Sequence, residues 1–143
     1  MKERAAFINV SQENKLSVAY DAPTRKRLSA ALDFLPGVLL EEELPARKEE
    51  LREVAYLFST WGMPALGKEQ IRAYFPSLKA VFYAAGSVQG FAREYLEAGV
   101  QVFSAWAANA VPVAEFTVAQ ILLAGKGLLP GPAPPGAGGP RRL

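Results

Sequence analysis

The sequence predicts an α/β protein built on a doubly wound parallel sheet of five strands. Short apolar segments alternate with amphipathic ones throughout residues 1–124. The apolar segments lack the polar alternation of a half-exposed strand, which indicates strands covered on both faces. Strands that alternate with helices form βαβ units, and such units place their strands in parallel.

Five apolar segments are predicted as strands, at 5–10, 38–40, 54–59, 78–84 and 100–103. Five strands within about 105 residues are typical of a flavodoxin-like domain. The first helix is predicted to begin at Asp21, a good N-cap, and to end at Pro36 and Gly37. Further helices are predicted over 45–53, 68–75, 88–98 and 112–124, with Gly99 ending the fourth and Pro112 opening the last.

The composition changes sharply at Gly125. Residues 125–143 hold 6 of the 12 Gly and 5 of the 11 Pro, and no apolar periodicity continues there. Such a segment cannot recover its ordering entropy through burial. We therefore predict one domain over 1–124, followed by a Gly/Pro-rich disordered tail over 125–143.

Composition excludes several kinds of chemistry. The chain has no Cys and no His, so disulfides, thiolate metal sites, cysteine nucleophiles and Ser-His-Asp triads are ruled out. The net charge is +2, yet the first 124 residues hold 13 Lys or Arg against 14 Asp or Glu. Because the basic residues form no stripe, we predict no nucleic-acid surface. Because Cys and His are absent, we also predict no metal site.

A soluble, cytoplasmic protein is expected. The N-terminus has only six apolar-rich residues before Ser11, too few for the core of a signal peptide. The longest apolar stretch, 111–124, is interrupted by Glu115 and Gln120 and is too short to span a bilayer. We therefore predict no membrane association.

Ligands of doubly wound sheets bind at the carboxyl ends of the strands, which selects the loops at 11–13, 59–64, 85–90 and 104–109. A phosphorelay receiver would need carboxylates after the first and third strands, and a flavodoxin would need a Ser/Thr-rich phosphate loop after the first. The sequence has neither. It also has no G-x-G-x-x-G and no G-x-x-x-x-G-K-[ST].

Two of these loops are candidate binding sites. Gly86 and Ser87 follow the most apolar strand and precede a predicted helix, whose first backbone N–H groups would favour an anion. The same turn could equally be structural, with Ser87 as an N-cap. The loop Ser59, Thr60, Trp61 and Gly62 could line a pocket, or Trp61 could simply cover the sheet edge.

The predicted helix 112–124 is apolar around most of its circumference, unlike the single stripe of a surface helix. Such a helix must be buried on several sides. We therefore expect a partner on it, either another domain or another subunit.

Four segments carry a resemblance to a known family: LKAV at 78–81, AGSV at 85–88, AGVQV at 98–102 and NAVPVAEFT at 109–117. In combination they resemble the NAD-dependent D-isomer-specific 2-hydroxyacid dehydrogenases. The resemblance is clearest over residues 54–126 and extends to residue 5. The sequence departs from the family pattern at Ser87, where glycine is usual, and at Gln89, where aspartate is usual.

The resemblance implies a flavodoxin-like substrate domain that flanks a Rossmann domain, with helix 112–124 at the hinge between them. It implies that Gly86 and Ser87 offer backbone N–H groups to the carboxylate of a small 2-hydroxy or 2-oxo acid. It also implies that the Ser59–Gly62 loop lines the same cleft, with Asn109 at the hinge beside it. The family reaction is hydride transfer between NAD and a 2-hydroxy acid.

In that family the catalytic Arg, Glu and His and the G-x-G-x-x-G lie after the point where this chain becomes rich in Gly and Pro. We therefore expect a chain truncated or frame-shifted near Gly127, with no catalytic residue of its own, inactive alone and without bound NAD. The alternative is a stand-alone flavodoxin-like binding or interaction module that docks a partner through helix 112–124.

Overall fold

The computed structural model of the protein describes residues 2–11 and 15–128. The chain forms two compact units, Met1–Ala108 and Asn109–Leu143. The predicted site loop at 11–13 falls partly outside the described residues, and so does the predicted disordered tail beyond residue 128.

The first unit contains five strands: β1 Arg4–Asn9, β2 Asp33–Leu40, β3 Val54–Ser59, β4 Ala80–Tyr83 and β5 Gln101–Ser104. The helices are α1 Leu16–Ala19, α2 Ala22–Ala31, α3 Lys48–Leu51, α4 Lys68–Tyr74, α5 Ala92–Glu97 and α6 Trp106–Gly125. A 3₁₀ turn at Glu41–Glu43 follows β2.

The predicted fold class is confirmed. All five strands are parallel, and their order in the sheet is β2-β1-β3-β4-β5. This is the flavodoxin-like order, in which the chain winds one way from β1 to β2 and the other way from β3 to β5. The reversal places the topological switch point between β1 and β3.

Two predicted helix boundaries are confirmed by their caps. The side chain of Asp21 accepts a hydrogen bond from the Thr24 N–H at 2.9 Å and so begins α2. Gly99 has φ 90° and ends α5 in a Schellman motif. In that motif the Gly99 N–H donates to the Leu96 carbonyl, and the Val100 N–H donates to the Tyr95 carbonyl.

The predicted end of the first helix is wrong. Helix α2 ends at Ala31, and β2 runs directly through Pro36 and Gly37. Because β2 is an edge strand, it tolerates a proline that cannot donate to a ladder. Gly37, at φ 74°, lies in an irregularity of the ladder opposite β1, which the hydrophobic pattern alone does not reveal.

Two other predicted helix starts are also wrong. Helix α5 begins at Ala92 rather than Val88, since residues 88–91 form a turn in which the Val88 carbonyl accepts from the Phe91 N–H. Helix α6 begins at Trp106, so Pro112 lies inside it instead of opening it. The charged helix predicted over 45–53 is shorter than expected, at Lys48–Leu51.

The sheet of the first unit is covered on both faces. On one face Ile8, Leu57 and Val81 pack with Ile71 and Tyr95, from α4 and α5. On the other face Phe7 and Phe58 pack with Leu16 of α1, with Tyr20, and with Leu28 of α2. Burial of both faces explains why the strands read as continuous apolar runs.

A row of phenylalanines crosses the second face, one from each strand. In spatial order the row is Phe34, Phe7, Phe58, Phe82 and Phe103. Neighbouring ring centroids are 4.8, 5.9, 5.0 and 5.2 Å apart, within the range of favourable aromatic pairs. The row ends at the β5 edge, where Phe103 is 49% exposed.

No residue of α6 is buried. Its 20 residues correspond to about 30 Å of helix, and it is the one described helix long and apolar enough to cross a membrane. The sequence argument that this stretch is too short is therefore wrong, because the helix begins before residue 111. A single helix that meets these criteria is weak evidence for a membrane. Residues 125–128 end the helix, with Gly127 at φ 69°.

Truncating the centre of the phenylalanine row should be far more costly than truncating its end. Phe58 is 4% exposed, so we expect Phe58→Ala to lower the free energy of unfolding by about 3–5 kcal/mol. Phe103→Ala is the matched control, with an expected loss below about 1.5 kcal/mol because half of that ring already faces water. Urea denaturation followed by circular dichroism measures both. Equal losses would contradict the burial gradient along the row.

Candidate functional site

One buried amide joins the strand ends at the switch point. The Asn9 side chain is 1% exposed, and its Nδ2 donates to the Trp61 carbonyl at 3.0 Å. Its Oδ1 accepts from the Ser11 N–H at 3.2 Å. The Val10 N–H donates to the Gly62 carbonyl at 2.9 Å, so side chain and backbone together hold the loops after β1 and β3. The sequence patterns did not single out Asn9, although it is the one amide side chain at the end of the first apolar segment.

Gly62 is required where the loop after β3 meets Asn9. Its φ of 103° favours glycine, and a Cβ there would lie 2.6 Å from Asn9 Oδ1. The space beside Gly62 is therefore filled by the protein's own amide. We infer that this glycine permits close packing of two strand ends rather than the approach of a ligand.

Ser59 and Thr60, both predicted as pocket residues, are fully buried. Ser59 Oγ donates to the Ile8 carbonyl at 2.8 Å, and Thr60 Oγ1 donates to the Ala84 carbonyl at 3.2 Å. Each hydroxyl thus links β3 to a neighbouring strand or to the loop that follows it. In this structure the two side chains hold the sheet edge together.

Trp61 is the exposed side chain of this loop, with 49% of its surface accessible. Lys15 Nζ lies 5.6 Å from the centroid of the indole, within cation–π range. Trp61 and Lys15 thus present an aromatic face and a positive charge near the switch point. The sequence indicated Trp61 as a candidate but gave no reason to single out Lys15.

The turn after β4 differs from its predicted form. Gly86 is half-buried and Ser87 is exposed, and α5 begins five residues after Ser87. The turn therefore does not lie at a helix N-terminus, and the dipole argument for an anion site does not apply. Within the described part of the chain, however, no group accepts a hydrogen bond from the N–H of Gly86, Ser87 or Val88.

Tyr20 links the ends of β3 and β4 from the second face of the sheet. Its hydroxyl lies 3.0 Å from the Phe82 carbonyl and 3.2 Å from the Ser59 carbonyl. Burial raises the pKa of this hydroxyl above its usual value. The ring also borders a small pocket of about 240 Å³ at the carboxyl ends of β4 and β5, whose lining includes Phe82, Phe103 and Ala105.

Asn109, predicted to lie beside the cleft, belongs to α6 and to the second compact unit. Its side chain is half-buried. Its contribution to a site formed with the loops of the first unit stays a prediction.

A larger cavity, of about 610 Å³, lies at the opposite edge of the sheet, where the strands begin. Several of its charges are paired: Arg4 lies 3.5 Å from Asp33, and Glu3 accepts hydrogen bonds from Lys79 and from Tyr56. The hydrogen bond from Lys79 holds the pKa of Glu3 below its usual value. Exposed pairs of this kind contribute little stability. We therefore place the candidate site at the carboxyl edge.

The sequence lacks the glycine pattern that commonly holds the phosphates of NAD. The sequence has no G-x-G-x-x-G, and the one glycine at the switch point is closed by Asn9. The described residues also contain no cluster of three or more Asp or Glu that could hold a metal ion. Among the described residues, the carboxyl edge offers backbone N–H groups, an indole and an ammonium group.

Comparison with known proteins adds no assignment: no family model matches this chain, and no curated protein sequence matches it. The first unit is defined by its own geometry as a flavodoxin-like α/β domain.

Replacing Gly62 by alanine should destabilise the protein more than the same change at Gly99. Both have positive φ, but a Cβ at Gly99 meets open space, so Gly99→Ala isolates the conformational strain of about 1–2 kcal/mol. Gly62→Ala must also displace Asn9 and break its hydrogen bond to Trp61, adding about 1–3 kcal/mol. Chemical denaturation measures the difference. If the two variants are equally stable, the close packing of Gly62 on Asn9 is unimportant.

The hydroxyl of Tyr20 should make stability depend on pH. Because burial raises its pKa in the folded state, its contribution is complete below the unfolded pKa of 10.0 and declines as the pH rises above that value. At pH 8 we expect wild type to exceed Tyr20→Phe by about 1 kcal/mol, the value of one buried hydrogen bond. Urea denaturation at pH 8, 10 and 11 should show this advantage shrinking, and a constant advantage would refute the assignment.

Proposed function

We propose that this chain is the substrate-binding domain of an enzyme similar to the NAD-dependent D-isomer-specific 2-hydroxyacid dehydrogenases. The observation that carries the proposal is the set of consecutive N–H groups at Gly86, Ser87 and Val88, which lack described acceptors and lie at the carboxyl edge of the sheet. The segments that resemble the family surround that turn in sequence.

The chemistry of the turn suits a carboxylate. Adjacent backbone N–H groups form charge-assisted hydrogen bonds to an anionic oxygen, and they need no titratable side chain. Strand β4 is the neighbour of β3, so the turn lies beside the loop that presents Trp61. The indole offers an apolar surface to the carbon chain of a small 2-hydroxy or 2-oxo acid.

On this proposal the domain contributes substrate binding, and hydride transfer needs a nicotinamide domain that this chain's glycine pattern cannot supply. When bound to such a domain, NAD would accept or donate the hydride at the substrate's C2. The residues of this chain bind the carboxylate and orient the acid. No side chain described here is assigned a proton-transfer role.

A titration of the ¹⁵N-labelled full chain with sodium pyruvate tests the carboxylate site. We expect saturable shifts of the Gly86, Ser87 and Val88 amides and of the Trp61 indole. Lactamide, a neutral amide of similar size, should leave these resonances in place, because the charge-assisted hydrogen bonds are lost.

Gly86→Val should abolish the shifts by blocking close approach of the acid. Gly90→Val is the matched control, since Gly90 has an ordinary φ and a Cβ there meets nothing within 4 Å. Pyruvate shifts that survive in Gly86→Val, or none in the wild-type protein, would overturn the assignment of the turn.

A second candidate function is a stand-alone binding module that docks a partner through residues 112–124. It is favoured by the exposure of α6, where Phe116, Ile121 and Leu122 are each more than 60% accessible. Large apolar side chains in water mark an interaction surface. Absence of pyruvate binding together with a specific partner on α6 would favour this function.

A further inference from the structure

Helix α6 and the turn that follows it, residues 106–128, carry two charged side chains among the described residues: Glu115 in the helix and Lys126 just after its last residue. The Lys126 N–H donates to the Leu122 carbonyl at 3.0 Å, so the helical spacing continues to this residue. Eleven residues separate the two charges, which places them about 20° apart around the helix and about 16 Å apart along it. They lie on the same side of the helix but are too distant to pair with each other.

Neither charge has a partner within the described part of the chain, where the ion pairs involve other residues. Val111, Val118 and Leu122 lie on the same side of the helix as the two charges, at 3- and 4-residue spacings. They are 53%, 55% and 63% exposed. This side, defined by Val111, Glu115, Val118, Leu122 and Lys126, is called the charged stripe below.

We propose that two copies of this chain associate through their charged stripes, with the two α6 helices antiparallel and Glu115 of each copy paired with Lys126 of the other. In a pair related by a two-fold axis, every contact is made twice with the roles of the copies exchanged. A helix with one negative and one positive charge on the same side can therefore form the same ion pair at both ends of the interface. The axis passes between residues 120 and 121, and it sets Ala119 of one helix opposite Leu122 of the other. This inference goes beyond the carboxylate site and does not depend on it.

The signs of the two charges favour an antiparallel second copy over a parallel copy or a bilayer. A parallel pair would set Glu115 beside Glu115, which is repulsive. A bilayer would hold the Glu115 carboxylate near its centre, since this residue is the tenth of the twenty in α6, and a charge there is costly. An antiparallel pair gives both charges a partner and removes the valines and Leu122 from water.

Sedimentation equilibrium of the full chain with charge reversals tests the pairing. We expect a dimer in wild type and a dissociation constant at least about tenfold higher for Glu115→Lys or Lys126→Glu, because each change creates two repulsive contacts. The double variant should restore the wild-type constant to within about threefold. Glu97→Lys, a reversal on the exposed side of α5, is the control and should change nothing.

A wild-type monomer at about 100 μM, or single reversals without effect, would overturn the proposal. So would a double variant that stays dissociated, since the charges would then not be paired with each other. Pyruvate titration of the same samples reports on the carboxylate site separately, so failure of either proposal is recognised without the other.

Because the chain has no cysteine, introduced cysteines report the orientation directly. Ala119→Cys lies next to the proposed axis and should form a disulfide-linked dimer on mild oxidation. Ala108→Cys lies on the same side of α6 but far from the axis, so it should remain monomeric on denaturing gels. Cross-linking at both positions would show a parallel pair, in which each interface residue faces its own copy, and would overturn the proposal, as would no cross-linking of Ala119→Cys. Partition of wild type into phosphatidylcholine vesicles instead of the dimer would overturn it in favour of a membrane.

Discussion

Buried polar side chains at the carboxyl ends of β1, β3 and β4 determine what this domain can present to a ligand. A parallel sheet ends there in a row of backbone groups that cannot all be solvated. Asn9, Ser59 and Thr60 satisfy several of them by bridging adjacent strand ends. Tyr20 does the same from the second face. With these side chains committed to the sheet, the accessible groups of the edge among the described residues include the Trp61 indole, the Lys15 ammonium and the backbone N–H groups after β4.

On the proposed function, this edge binds and orients an anion. Its donors are backbone groups of fixed orientation that do not titrate, and they lie beside an apolar ring. The phenylalanine row beneath it stiffens the second face across all five strands and reaches the surface at Phe103. On that proposal the open N–H groups bind a small carboxylate, and the groups that move protons or hydride come from a partner domain.

Helix α6 differs from the sheet in that none of its residues is buried within the described part of the chain. Its composition is too apolar for a surface helix, while the charge of Glu115 near its middle disfavours insertion into a bilayer. Both proposals give the helix a partner, a cofactor domain in one and a second copy in the other. The charged stripe occupies one side, so Phe116 and Val113 on the remaining circumference stay available to a further partner.

The sequence by itself determined the fold class, the extent of β3 and the caps at Asp21 and Gly99, because alternation of apolar segments and capping chemistry are local properties. Only the tertiary structure decided that β2 passes through Pro36, since an edge position makes that proline tolerable. It also decided that Ser59 and Thr60 bridge strands and that Asn9 fills the space beside Gly62. These roles depend on which strand ends are neighbours, and strand order is a long-range property that residue patterns along one segment do not encode.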